Sequence, residues 1–295
     1  MSSQQLPAHI ANLLERQQRT EHGEPADSAG VAWSGRDLSG AGNPLHTFDG
    51  DDGHTPAPIA AARRRLIAGE TDEAQFVASL AGQRLFAPVI ATGTGDADHG
   101  DKEADISLVS LTAPDGRRAM PVFTSVQALT GWHRQARPVA AEAERVMLAA
   151  LAEDAELVVL DPGAAEAPAE LTYVIRRPAL EALAQGRLWT PSYLDHELAQ
   201  ALDELPDQCP GVAQLVLKPH RGIITQAGNG ARVLGGGHGP ELSLGVVVKP
   251  GTDAVGQRLA LAAVEAACAD VEMLSQRADS LHIQLVDGEL VEQPR

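Results

Sequence analysis

Aromatic side chains make up only 3% of this 295-residue chain, although 44% of its residues are hydrophobic. That scarcity limits how a core can be built. With few large rings to fill space, the interior must rest on Ala, Val and Leu. The apolar fraction is still sufficient for a sizeable core, and a disordered chain would be poorer in apolar residues. The length suits two domains, or one large domain with appendages.

The chain divides into three parts. Residues 1–56 are rich in Gly, Ser, Asp, Gln and His, with three Lys/Arg against eight Asp/Glu. Weak helical spacing over residues 6–19 (Leu6, Ile10, Leu13, Leu14) suits docking in a groove. Residues 20–54 read as loop, marked by Gly-Asn-Pro and Asp-Gly turns. The whole reads as an extended acidic arm, ordered where Trp33, Leu45 and Phe48 find pockets.

Residues 57–190 read as a mixed unit. It opens with a helix at 58–69 ending at Gly69 and a second helix capped by Thr71. A strand follows at 84–91, where Pro88 argues for an edge or a bulge. Residues 106–111 and 117–123 form a hairpin about Pro114-Asp115-Gly116. Then come a short helix from Ser125 to Trp132, a helix at 140–153, strands at 157–160 and 171–175, and a helix from Pro178 to Gly186. Residues 191–295 form a second unit. It has a helix at 193–205, a strand at 212–218 that 223–226 continues, and a mobile glycine-rich stretch at 227–240. A strand at 242–249, an Ala-rich helix at 253–269 with Asp253 as N-cap, and a strand at 281–286 complete it. Strands and helices do not alternate strictly. The fold class is therefore α+β: two mixed sheet-and-helix domains preceded by a loop-rich N-terminal arm, not a doubly wound sheet.

Charge and motifs narrow the function. Twenty-three Lys/Arg against forty Asp/Glu give a net charge of −17. Such a chain repels phosphate backbones and anionic headgroups, so nucleic acid and membrane surfaces are not expected partners. Residues 1–20 lack a basic stretch followed by an apolar run, so no signal peptide is expected. No apolar run reaches membrane-spanning length. Cys209 and Cys268 are too few for a disulfide framework and read as free thiols in a reducing cytoplasm. There is no P-loop, dinucleotide fingerprint, His-Glu-x-x-His or Gly-x-Ser-x-Gly motif.

The remaining features each have a bland reading that outweighs the chemical one. Gly235-Gly236-Gly237-His238-Gly239 has the glycines of a phosphate cradle, but a strand rather than a helix follows, and it reads as a hairpin loop. Asp96, Asp98, Asp101, Glu103 and Asp105 have the wrong register for a calcium loop and read as a solvated connection. The turn acids Asp49, Asp51 and Asp52, with His54, read the same way. Cys209 is followed by Pro210 and a strand, an unfavourable setting for a reactive thiolate. Cys268 reads as a small buried residue. The ten histidines are scattered, and none sits at i, i+4 with another on a helix. Arg63-Arg64-Arg65 and Arg176-Arg177 read as helix-end or intramolecular pairs. No catalytic residue, metal site or cofactor is expected.

Several segments, in order, resemble SseB-like proteins of the actinobacterial type. They include Trp33-Ser34-Gly35-Arg36-Asp37-Leu38, Phe48-Asp49-Gly50-Asp51-Asp52-Gly53 and Arg84-Leu85-Phe86-Ala87-Pro88-Val89-Ile90. Further along come Ala119-Met120-Pro121-Val122-Phe123-Thr124-Ser125, then Leu129, Trp132 and Ala136-Arg137-Pro138-Val139. Leu160-Asp161-Pro162, Arg176-Arg177-Pro178-Ala179-Leu180 and Ala184-Gln185-Gly186 complete the likeness over about residues 31–190. Arg277-Ala278-Asp279-Ser280-Leu281 resembles the close of the family's C-terminal domain. The family name, enhanced serine sensitivity, describes a phenotype. The resemblance implies a cytoplasmic two-domain α+β protein without an established activity, and it carries over no catalytic residue.

Two expectations follow. One is a non-enzymatic interaction or regulatory module, in which Phe123 and Trp132 anchor an unidentified protein partner. The other is a small-molecule binder or uncharacterised enzyme, in which Arg84, Arg137, Arg176 or Arg177 holds an anionic metabolite. The oligomeric state stays open.

Overall fold

Helix α1 (Ala57–Ile67) has Pro58 in its first turn, where a missing N–H leaves no bond unmade, and buries Ile59, Arg63 and Leu66 on one face. The computed structural model describes Phe48 and residues 51–93, 104–163 and 170–286. The chain from Asp51 onward forms one unit by its internal contacts. The expected helix at 6–19, the pockets for Trp33 and Leu45, and the acidic residues at 96–103 lie outside the described residues. Helix α2 (Glu73–Ala78) is capped by Asp72, whose carboxylate accepts the Gln75 N–H at 2.8 Å. This corrects the assignment to Thr71, which bonds the Gln75 side chain instead.

Strand β1 (Arg84–Gly93) lies between β2 (Ala104–Leu108) and β5 (Arg137–Glu142) in an antiparallel sheet. Pro88 is thus in the central strand, not at an edge. It faces Pro138 across the β1–β5 ladder, and its carbonyl accepts from Val109 at 3.3 Å, just past the end of β2. Pro88 therefore forgoes only the reciprocal bond of this last pair, where the ladder with β2 is ending. The helix expected from residue 140 begins at Ala143, as α4 (Ala143–Ala152). The residues before it pair with β1 over six positions, and that pairing overrides the helical preference of Ala140 and Ala141.

A second sheet has the order β3-β4-β6-β7, from β3 (Leu111–Thr112), β4 (Arg118–Val122), β6 (Leu157–Leu160) and β7 (Tyr173–Arg176). The turn at Pro114-Asp115-Gly116 joins β3 to β4. The longer hairpin arm expected before it is split, because β2 pairs with β1 instead. Strands β4 and β6 are parallel. The connection between them carries α3 (Val126–Trp132), β5 and α4, and α5 (Arg177–Ala184) follows β7.

The later residues open with a short 3-10 turn (Ser192–Leu194) and α6 (His196–Asp203), so the single helix expected at 193–205 is divided at its cap, Asp195. Strands β8 (Val212–Pro219) and β11 (Leu242–Val248) are antiparallel. Helices α7 (Ala254–Ala269) and α8 (Glu272–Arg277) then lead to β12 (Leu281–Leu285), which is parallel to β11. An antiparallel pair followed by a parallel crossover is also the plan of β3, β4 and β6. Between β8 and β11 stands a separate hairpin of β9 (Ile224–Gln226) and β10 (Arg232–Leu234). Pro219 and a 3-10 turn (Arg221–Ile223) keep β9 from extending β8.

Two main apolar clusters result. One gathers residues from Ile59 to Leu183 together with Ala227 and Val233 of the hairpin. The other lies between α6, α7 and the β8–β11–β12 sheet. A buried polar clasp ties the start of the described chain to the first. Thr124 and Asp161 follow the parallel strands β4 and β6, and Asp161 accepts from Thr124 N–H and hydroxyl at 2.7 Å each. The Arg63 guanidinium pairs with Asp161 at 2.5 Å and also with Glu170. Arg84 donates to the Thr124 and His54 carbonyls and pairs with Asp51 at 2.9 Å. Replacing Asp161 by Ala strands part of a buried guanidinium. Denaturant unfolding of Asp161→Ala should show a loss of about 3–5 kcal/mol.

Candidate functional site

The glycine-rich run is not a mobile loop. Gly235, Gly236 and Gly237 are buried. Gly236 accepts from Val174 N–H of β7 at 2.9 Å, Gly237 donates to the Ile223 carbonyl at 2.8 Å, and Gly239 donates to Gly222 at 3.0 Å. The run thus covers the free edge of β7. Gly236 has φ +71°, and a Cβ there would overlap the Tyr173 ring. A Cβ on Gly235 would overlap the Glu73 carboxyl. Glycine is required here by both backbone angle and close approach.

Glu73 opens α2 and is only 4% exposed. The Tyr173 hydroxyl donates to its carboxyl at 3.0 Å, and the Tyr193 phenol lies near enough to act on the same carboxyl. Burial pushes the Glu73 carboxyl above its ordinary range, against the opposing pull of the two phenols. Burial and the neighbouring Glu73 raise both tyrosines, so they stay protonated donors. Glu73, Tyr193, Asp72 and Arg232 lie in the lining of a cleft of about 660 Å³. The lower end of α1 and strand β10 form its other walls.

A buried charge cluster backs this group. Arg176, at the end of β7, pairs with Asp279 at 2.8 Å and donates to the carbonyls of Gly237 and Gly239 at 2.6 and 2.8 Å. Arg117 holds the same Asp279 at 2.7 Å and also bonds Asp115 and the His238 carbonyl. Glu241 accepts from the Ser192 hydroxyl at 2.5 Å and the Asp279 N–H at 2.6 Å. Burial raises Glu241 above its usual range despite these donors. A second cleft, of about 390 Å³, lies beside Arg117, His238 and Asp279.

The structure does not bring the four sequence-selected arginines together. Arg84 is in the clasp described above, with its guanidinium 4.0 Å from the Phe86 ring centroid. Arg137 is exposed on β5. Arg176 belongs to the Asp279 cluster, and Arg177 is exposed and pairs with Glu181 at 2.8 Å. Phe123 is fully buried beside Trp132, at 5.3 Å between ring centroids, and Trp132 is half-buried. Both belong to a small cluster with Phe86 and Leu129. Cys209 and Cys268 are buried in the second core, where burial pushes the Cys268 thiol up to about 11. Among the described residues no three His, Cys, Asp or Glu converge as metal ligands.

Sequence reasoning passed over Glu73, Tyr173, Tyr193, Glu241 and Asp279. Glu73 falls in the first turn of a short helix and Tyr173 within a strand, positions that by themselves mark no site. The available signal was scarcity. The chain has two tyrosines, and both act on one carboxyl.

Residues 59–182 match the SseB protein N-terminal domain. No curated protein and no solved structure matches the chain. The matched segment contains Glu73, Tyr173 and Arg176. Tyr193, Glu241, Asp279 and the glycine run lie beyond it.

Two outcomes follow. Gly236→Ala should lose about 2–5 kcal/mol in denaturant unfolding, from left-handed strain plus overlap with Tyr173. The raised Glu73 carboxyl contributes stability that is full below its unfolded value near 4.5 and is lost as pH rises through its folded value. Relative to the wild type, Glu73→Gln should therefore gain stability progressively from about pH 4.5 upward, read as the difference between the two unfolding profiles.

Proposed function

We propose that this chain is a non-enzymatic small-molecule binding protein whose larger cleft takes a ligand bearing an ammonium group. One observation supports this reading above the others. The Glu73 carboxyl lines the cleft and accepts from the Tyr173 hydroxyl, and among the described residues no Lys, Arg or His stands at ion-pair distance from it, Arg176 acting on it only from further away. A buried carboxylate without a counter-ion in contact is costly, so burial favours the protonated acid. A ligand ammonium supplies the missing positive charge and displaces that proton. Glu70 and Asp72 make the lining more acidic, and Arg232 offers a partner for a carboxylate on the same ligand. The preferred charge is opposite to that of the anionic metabolite expected from the arginines. Arg84, Arg176 and Arg177 already have carboxylate partners.

The same proposal extends the family resemblance to the later residues as an SseB C-terminal domain of the actinobacterial type. Its support is Arg277-Ala278-Asp279-Ser280-Leu281, the segment that supplies Asp279. A cytoplasmic setting belongs to the proposal too, supported by the unpaired thiols of Cys209 and Cys268. Among the described residues no helix is long and apolar enough to cross a membrane.

Titration calorimetry tests the reading with a panel of monoamines, diamines and amino acids, alongside their alcohol and carboxylate analogues. At least one amine should bind more tightly as pH rises through the Glu73 midpoint. Its heat should depend on the buffer's ionisation enthalpy, reporting proton release. Glu73→Gln should weaken it by about thirtyfold or more. Equal binding by Glu73→Gln, or binding of anionic analogues alone, contradicts the reading.

A further inference from the structure

The sixteen-residue helix α7 is apolar on both sides. Its inner face, with Ala260, Val264 and Cys268, packs on the second core. Its outer face carries Val255, Leu259, Ala262, Ala266 and Ala269, all exposed, with Val255 at 54% and Leu259 at 65%. These positions recur at alternating spacings of four and three, which keeps them in one stripe along the helix. A helix that is hydrophobic all round is normally covered all round. The stripe has charges on one flank only. Arg258 and Glu265 are exposed, seven residues apart on the same side, and neither forms an ion pair among the described residues.

We propose that this face of α7 binds the same face of a second copy of the chain, antiparallel, about a two-fold axis beside Ala262. The sequence of the stripe is self-complementary in that orientation. Val255 lies over Ala269 of the second copy, Leu259 over Ala266, and Ala262 over its own equivalent. Each larger side chain meets a small one, which permits close approach of the helices. A perpendicular two-fold keeps each flank facing its own equivalent with direction reversed. Arg258 of each chain then meets Glu265 of the other, giving two ion pairs. A parallel two-fold would carry the charged flanks to opposite sides, leaving Arg258 and Glu265 of each chain beside the uncharged flank of the other. It would also align the two helix dipoles unfavourably. The charge pattern therefore selects both the partner and its orientation, independently of the cleft at Glu73.

Sedimentation velocity on the full chain over a concentration series tests this. The wild type should self-associate to a dimer. Arg258→Glu and Glu265→Arg, both on the exposed face and both with wild-type circular dichroism, should each weaken association by about tenfold or more. The double variant R258E/E265R restores opposite charges across the axis and should return the affinity to near the wild-type value. A chain that stays monomeric at the highest soluble concentration overturns the proposal. So does a dimer indifferent to the single reversals, or one that the double reversal fails to rescue.

Discussion

One buried guanidinium, that of Arg176, ties the strand edge, the glycine run and the acidic cluster together. It ends β7, pairs with Asp279 just before β12, and satisfies the carbonyls of Gly237 and Gly239. Those glycines lie against the open edge of β7, so Arg176 fixes the segment that covers its own strand. Asp279 is shared with Arg117, and its N–H donates to Glu241. Charge-assisted bonds of this kind are worth most where water is excluded, and removing one member leaves the others buried and unmatched. The position of the glycine run against Glu73 and Tyr173 therefore depends on an ion pair formed across a hundred residues of sequence.

The composition explains why this junction is built from glycine. With few aromatic side chains available, close contact has to come from backbone lying against the rings that exist. Gly236 on the Tyr173 ring and Gly235 on the Glu73 carboxyl are two such contacts. The Phe76 and Tyr173 rings, 4.7 Å apart between centroids, form the adjoining part of the first core. Covering Glu73 in this way removes water from its carboxyl, and that desolvation gives the group its raised titration. Packing and candidate chemistry have the same physical origin here.

Much of the fold was legible in the sequence, because local signals decide it. The α+β class, the helix after Pro56, the Asp253 cap, strand β6 and the β11–helix–β12 order all follow from periodicity, caps and turn residues. Non-local pairing decides what was missed. Strand β5 reads as the start of a helix until β1 is beside it, and Pro88 reads as an edge until the end of β2 is located. The glycine run reads as mobile because nothing local reveals that β7 has an edge to cover. The candidate site was illegible for the same reason. Glu73, Tyr173, Tyr193 and Glu241 are far apart in sequence, each has an ordinary local role, and only the closed structure brings them near enough to act on one another.

The proposed cleft depends on a Glu73 carboxyl whose burial raises its titration and which a bound cation would lower again. Carbon-13 NMR of glutamate-labelled protein, with the Glu73 signal assigned by its absence from Glu73→Gln, measures that protonation directly. The midpoint should lie above the ordinary carboxylate range in the free protein and fall when an amine occupies the cleft. A midpoint in the ordinary range, or one unmoved by a bound amine, would contradict it.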